Sequence, residues 1–90
     1  LHYSPGIPLR MNAKKPKKEE AFLLTKKRNI SYENYYYLSK KNDMKESAKN
    51  LYSLLRKIKN DGYKMVAVEK IQNKGIGRTI NDRLNKASKY

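Results

Sequence analysis

Residues 43–62 constrain this chain more than any other stretch. Asp43 offers a side-chain oxygen where a helix would need an N-cap, and Glu46 completes a capping-box-like pattern with Asp in place of Ser or Thr. Met44, Ala48, Leu51, Leu55 and Ile58 then recur at helical spacing, which puts them on one face. Leu54 widens the stripe, while Lys45, Lys49, Arg56 and Lys59 point away from it. Asn60-Asp61-Gly62 ends the helix, with Gly62 suited to the left-handed position just past the C-cap. Met65-Val66-Ala67-Val68 follows almost at once. A helix that buries one face and runs directly into a short apolar strand needs a sheet to pack on, which makes this an α/β chain.

The remaining elements fall around that unit. Ile7 to Asn12 is short and partly apolar, and Pro5-Gly6 and Pro8 make it an extended lead-in rather than a central ladder. Ala13 to Glu20 carries two lysine pairs around Pro16 and reads as an exposed loop. Ala21 to Thr25 is a compact apolar run, and Tyr35 to Leu38 is aromatic-rich in the way half-buried strands are. If Tyr35 to Leu38 precedes the helix as a strand, about two dozen residues separate it from Met65, enough for a parallel βαβ crossover. A second helix starts near Gly75-Ile76-Gly77 and carries Ile76, Ile80, Leu84 and Ala87 on one side. The stretch from Gly62 to Ala87, helix end to strand to helix, is the clearest signal of a small α/β domain.

Ninety residues with 38% apolar content make one domain with a thin core. Cysteine is absent, which removes disulfides, thiolate metal sites and thiol catalysis together. A secreted domain this small usually needs covalent staples, so the expected location is the cytoplasm. No run is long and apolar enough to cross a bilayer, and none marks a signal peptide. The chain opens at Leu1 rather than methionine, so the expectation is a domain cut from a larger enzyme.

The net charge is +14, and clustered cations gain from releasing counterions on RNA or DNA. Lysine supplies 17 of the 22 cations, however, and bidentate phosphate and base recognition favours arginine. Asn, Ile and Tyr are abundant as well, and all four residue types have AT-rich codons. Compositional drift therefore accounts for much of the excess, with attraction of RNA as the functional alternative.

Chemistry-bearing motifs are few. Gly75-Ile76-Gly77, after a strand and before a helix, is the kind of turn whose backbone N–H groups cradle a phosphate. Ile80 stands where a dinucleotide fingerprint would need its third glycine, and the same two glycines equally serve a tight strand-to-helix turn. Asn81-Asp82-Arg83 reads as a solvated or locally ion-paired helix face. His2 is the only histidine, and one histidine makes neither a metal site nor a triad. Tyr35 and Tyr37 alternate with Tyr36 across the strand, so packing on the two faces is their expected use, ahead of base stacking. No Walker loop, convincing carboxylate pair or HExxH occurs, so no catalytic residue and no metal site are expected here.

Taken in order, the short motifs resemble a known family. His2-Tyr3-Ser4-Pro5 with Pro8-Leu9-Arg10-Met11-Asn12-Ala13 resembles the "HYAP…PLRLNA" linker and first strand of two-domain threonylcarbamoyl-AMP synthases. Glu20-Ala21-Phe22-Leu23-Leu24 resembles the "EALLAF" strand of that family. Leu38-Ser39, Asp43-Met44, Ala48-Lys49-Asn50-Leu51-Tyr52 and Leu55-Arg56 resemble its "LS…GDL.EAA.NLF..LR" segment. Lys74-Gly75-Ile76-Gly77, Ile80-Asn81-Asp82-Arg83-Leu84 and Ala87 resemble its "GLG.AINDRL.RA" ending. Ser4 departs from the usual alanine, and the segment between the first two strands is too short for a helix that some relatives carry.

The resemblance implies a C-terminal accessory domain: a small Rossmann-like α/β module with a mostly parallel sheet of about four strands and two principal helices. Residues 1–6 would be the end of an interdomain linker and residues 7–90 the domain. The chemistry would belong to a YrdC-like catalytic domain of the same chain, a nucleotidyltransferase-type enzyme. That domain condenses L-threonine, bicarbonate and ATP, with magnesium, into threonylcarbamoyl-AMP. The product feeds threonylcarbamoyladenosine formation in tRNA that reads codons starting with A. No cofactor is expected within these residues. The family's linker lies over the catalytic cleft, so His2 and Tyr3 are the expected neighbours of that active site. Gating by the linker and binding of tRNA are the two roles implied for the domain itself.

Overall fold

The computed structural model describes residues 6–88. Its elements are β1 (Leu9–Ala13), β2 (Ala21–Leu24), β3 (Tyr35–Tyr37), α1 (Met44–Asn60), β4 (Val66–Glu69) and α2 (Ile76–Ala87). The strands form one sheet in the order β1-β4-β2-β3, and every pairing is parallel. The fold is α/β and consistent with a small Rossmann-like domain. The strands sit within a residue or two of their expected limits, with β1 starting later, at Leu9.

Side-chain alternation sorts the sheet into two faces. Leu23, Val66, Val68 and Leu38 share one apolar cluster with Leu51, Leu55 and Ile58 of α1 and Ile80, Leu84 and Ala87 of α2. Both helices therefore lie on the same face. Each fully buried Leu or Ile in that layer contributes about 1.5–3 kcal/mol of transfer free energy, which is what holds two otherwise marginal helices in place. The opposite face carries Ala13, Phe22, Leu24 and Ala67, flanked by Tyr35 and Tyr37. The tyrosine alternation holds: Tyr36 packs with the helix layer and its two neighbours with the other cluster.

A doubly wound sheet covers its second face with helices. Here β1 reaches β2 through residues 14–20 and β2 reaches β3 through residues 25–34, without a helix in either connection. Seven extended residues reach about 24 Å, enough for a diagonal return past one intervening strand. Irregular chain and large side chains do the covering instead. Phe22 is fully buried, with Tyr35 edge-on at 5.3 Å between ring centroids and the Arg28 guanidinium 5.2 Å from its own.

β1 changes face partway along. Its register against β4 shifts between Arg10 and Ala13, and Asn12 sits at φ 57. Asn tolerates this left-handed conformation better than a branched residue would. The bulge turns Ala13 into the cluster on the helix-free face, where strict alternation from Leu9 would have put it under the helices.

β3, α1 and β4 are parallel strands joined by a helix, but β2 lies between the two strands, so the crossover skips a position. Asp43 caps α1, accepting from Lys45 N at 2.9 Å and Glu46 N at 3.1 Å. The reciprocal half of the expected capping box is made differently: the Asp43 N–H donates to Ser39 Oγ at 3.0 Å, and Ser39 is buried. Gly62, at φ 101, follows the C-cap residue Asp61 as expected. On α2 the buried face is Gly77, Ile80, Leu84 and Ala87, while Ile76 is exposed. Ile80, Leu84 and Ala87 are buried as expected, and only the first position moves, from Ile76 to Gly77, because the helix comes closest to the Ile71–Gln72 connection at the glycine.

Candidate functional site

Parallel pairing gathers all amino ends of the strands at one edge of the sheet and all carboxyl ends at the other. The chain enters at the amino edge. Gly6 takes φ 65, Ile7 is 2% exposed within the helix-side core, and the Pro8 carbonyl accepts from Val66 N at 3.0 Å. A groove of about 320 Å³ lies beside this segment, lined by Gly6, Ile7, Pro8, Gly62, Tyr63 and Lys64. Its wall is braced from behind. Tyr63 meets Tyr36 edge-on at 6.0 Å, and Tyr36 Oη donates to Asp61 Oδ2 at 2.6 Å. Burial, then the Asp61 contact, raises the Tyr36 phenol well above its ordinary range. The Tyr36 hydroxyl, and Lys57 after it, hold the Asp61 carboxyl below its ordinary value. His2 and Tyr3 lie outside the described residues.

At the carboxyl edge, a crevice of about 430 Å³ opens between the ends of β2 and β4. Thr25, Asn42, Lys70, Lys74 and Gly77 are among its walls, so the segments leaving β2, β3 and β4 all meet there. The chain leaving β2 carries Arg28 to the helix-free face, and the chain leaving β4 enters α2 on the helix face. Neighbouring strands whose connections depart to opposite faces define a topological switch point, where open α/β sheets accept ligands.

Gly75 and Gly77 sit at this edge in different circumstances. Gly75 is exposed at φ 58, and a Cβ there would meet open space. Gly77 is buried, and a Cβ there would collide with the Gln72 carbonyl oxygen. The Gly77 N–H donates to Lys74 O at 3.1 Å and the Arg78 N–H to Gly75 O at 3.2 Å, so two of the first amides of α2 are spent closing the turn.

Asn81 is placed where the sequence pattern left a solvated face. Its Nδ2 donates to Ile71 O at 2.9 Å, stapling the β4–α2 connection to the helix, while Arg83 Nη1 reaches Ala48 O at 3.4 Å and links the two helices. Only Asp82 keeps the expected local pairing, with Lys86 at 3.1 Å. A carboxamide that reaches back to a carbonyl ten residues earlier leaves no periodic trace, which is why the role of Asn81 was hidden.

A second polar element lies under the β1–β2 connection. Glu20, 4% exposed, accepts from Arg10 Nη2 at 2.7 Å, Arg10 Nε at 3.1 Å and Lys17 N at 2.7 Å. The Arg10 guanidinium holds its carboxyl below the usual carboxylate range, against the opposing effect of burial. This pair replaces the missing helix as the structure that fixes the loop. Among the described residues no cluster of three His, Asp or Glu side chains is placed to hold a metal ion, and no helix is long and apolar enough to cross a membrane. What both edges offer is backbone, amide and ammonium groups, which bind and position.

Comparison with known families gives one finding. A family model described as threonylcarbamoyl-AMP synthase, C-terminal domain, matches residues 1–89. No curated protein and no solved structure matches the chain.

Proposed function

Since the chain belongs to the threonylcarbamoyl-AMP synthase C-terminal domain family, a family of tRNA modification, we propose that it is the accessory domain that anchors a lid linker over that enzyme's catalytic domain. In this reading residues 1–6 are the end of the linker, residues 7–90 its anchor, and a YrdC-like domain of the same cytoplasmic chain does the chemistry. That domain, not this one, handles ATP, magnesium, L-threonine and bicarbonate.

One observation carries the reading. Ile7 is fully packed in the core and Pro8 is tied to Val66, only four residues after Tyr3. A linker attached there is held at its domain end, directly beside Gly6, which takes φ 65. A lid hinged on a rigid body shields a reactive carbamoyl adenylate from water while substrates exchange. His2 and Tyr3 are then the positions that face the catalytic cleft.

The test is made on the whole enzyme with and without residues 7–90. Removal of the domain is expected to lower turnover and raise the fraction of adenylate lost to hydrolysis. Unchanged values for both would overturn the lid.

The second reading, a tRNA-binding module, is supported by the ion-pair pattern. Among the described residues ion pairs engage Arg10, Arg28, Lys57 and Lys86, while Lys14, Lys26, Lys27, Lys40 and Lys41 stand exposed. Affinity of the chain for a tRNA transcript across a salt series tests it. Absence of binding at low salt would end it.

A further inference from the structure

The fold sorts its lysines. Lys14 follows β1, Lys26 and Lys27 follow β2, Lys40 and Lys41 follow β3, and Lys70 and Lys74 follow β4, whereas the Lys15 carbonyl already accepts from Arg10 on the way back to Glu20. All of these lysines are exposed. In an antiparallel sheet they would alternate between the two edges and dilute one another. In this all-parallel sheet they come out together, because every strand points the same way.

The negative charge at that edge is mostly committed elsewhere. Asp43 is occupied capping α1, and Glu69 holds Arg28 at 2.6 Å, which leaves Glu46 in the first turn of α1. The amino edge is mixed: Glu19, Glu20, Glu33 and Asp61 stand among Lys17, Lys18, Lys57, Lys59 and Lys64. Drift in codon composition explains how many lysines the chain has. It does not explain why unneutralised ones collect at the carboxyl ends of the strands.

Building on the tRNA-binding reading above, we infer that the carboxyl edge of the sheet is the RNA-binding surface, and that it grips phosphate backbone without reading sequence. Four strand ends spaced about 4.8 Å apart make a front about 15 Å wide, broad enough to meet several phosphates of one RNA. Lysine brings a point charge on a flexible stem, which suits phosphates at variable spacing and supplies no bidentate fork for base edges. The crevice between β2 and β4, with Lys70 and Lys74 on its walls, lies in the middle of this front.

The experiment compares two variants of equal net charge. One carries Lys26→Gln, Lys27→Gln, Lys40→Gln and Lys41→Gln; the other carries Lys17→Gln, Lys18→Gln, Lys57→Gln and Lys64→Gln. Binding of a fluorescent tRNA transcript is followed from about 50 to 200 mM salt, with circular dichroism to establish that each variant is folded. A Lys70→Gln, Lys74→Gln pair provides a smaller perturbation of the same edge. The carboxyl-edge set is expected to weaken binding at low salt about tenfold or more and to reduce the salt slope by about 3, while the amino-edge set changes affinity less than about threefold. Equal losses in the two sets would overturn the edge assignment and leave the RNA-binding reading standing. No binding by the unaltered chain would overturn that reading and the assignment with it. Polyglutamate bound as tightly as RNA, with the same dependence on the carboxyl edge, would overturn RNA as the partner.

Discussion

Arg28 Nη2 donates to Glu69 Oε2 at 2.6 Å across the face of the sheet that has no helix. The two residues come from the β2–β3 connection and the end of β4, and the guanidinium lies over the Phe22 ring between them. One side chain therefore ties an irregular ten-residue connection to the sheet and closes the small apolar cluster beneath it.

Replacing Arg28 by Ala removes a part-exposed ion pair and a cation–π contact, about 1–2 kcal/mol together. In a domain of this size that lowers Tm by roughly 5–10 °C. Lysine at this position should recover less than half of the loss, because an ammonium neither stacks on the ring nor forks to the carboxylate. Thermal melts of the two variants check this, and a full rescue by lysine would show that charge alone holds the loop.

Glu20 predicts the acid behaviour. Its carboxyl is held below the ordinary value by Arg10, so the folded state favours the charged form. The associated stability is fully present above the unfolded carboxyl pKa, near 4.3, and is lost as pH falls through the lower folded value. Glu20→Gln should lower Tm at neutral pH and flatten its decline between about pH 5 and pH 3. Parallel pH profiles for variant and parent would assign acid unfolding to other groups.

The sequence pattern carried the local parts of this fold. The spacing from Met44 to Ile58, the Asp43 cap and the Gly62 stop are nearest-neighbour effects, and α1 runs from Met44 to Asn60. Strand order was not legible, because nothing in Tyr35–Tyr37 or Val66–Glu69 states which strand lies between them. The bulge at Asn12, the Arg10–Glu20 pair and the Asn81 staple all depend on residues far along the chain. The lysine pairs were plain as composition but meaningless as a surface until the strands were known to be parallel. Of the candidate site residues, Gly75 and Gly77 looked alike in sequence, and only the packing tells them apart.

That difference is measurable. A Cβ at Gly77 strikes backbone, the Gln72 carbonyl, and Ile71 Cγ2 sits 3.4 Å away, so no side-chain rotation relieves it. Gly77→Ala should cost about 3 kcal/mol or more by forcing α2 away from the Ile71–Gln72 connection that precedes it. Gly75→Ala meets open space but must hold a side chain at φ 58 and ψ −135, a backbone region that favours glycine, for a strain of about 1–3 kcal/mol. Urea unfolding of both variants would rank them, and equal costs would place the constraint in backbone conformation alone.

Ile7 offers the finest test of the anchor, because it separates holding the linker from holding the fold. Ile7→Ala and Leu51→Ala each empty space in the same helix-side cluster, and each should cost about 2–5 kcal/mol. Leu51 lies in the middle of α1, whereas Ile7 is the core residue at which the proposed linker would join the domain. In the whole enzyme, at a temperature where both variants remain folded, an anchoring role requires Ile7→Ala to raise adenylate loss relative to pyrophosphate formed. Leu51→Ala should leave that ratio near the parent value. The measurement is the ratio itself, since a general loss of folded enzyme lowers both quantities together. Equal ratios in the two variants would make Ile7 a core residue and nothing more, and the linker would then need another point of control.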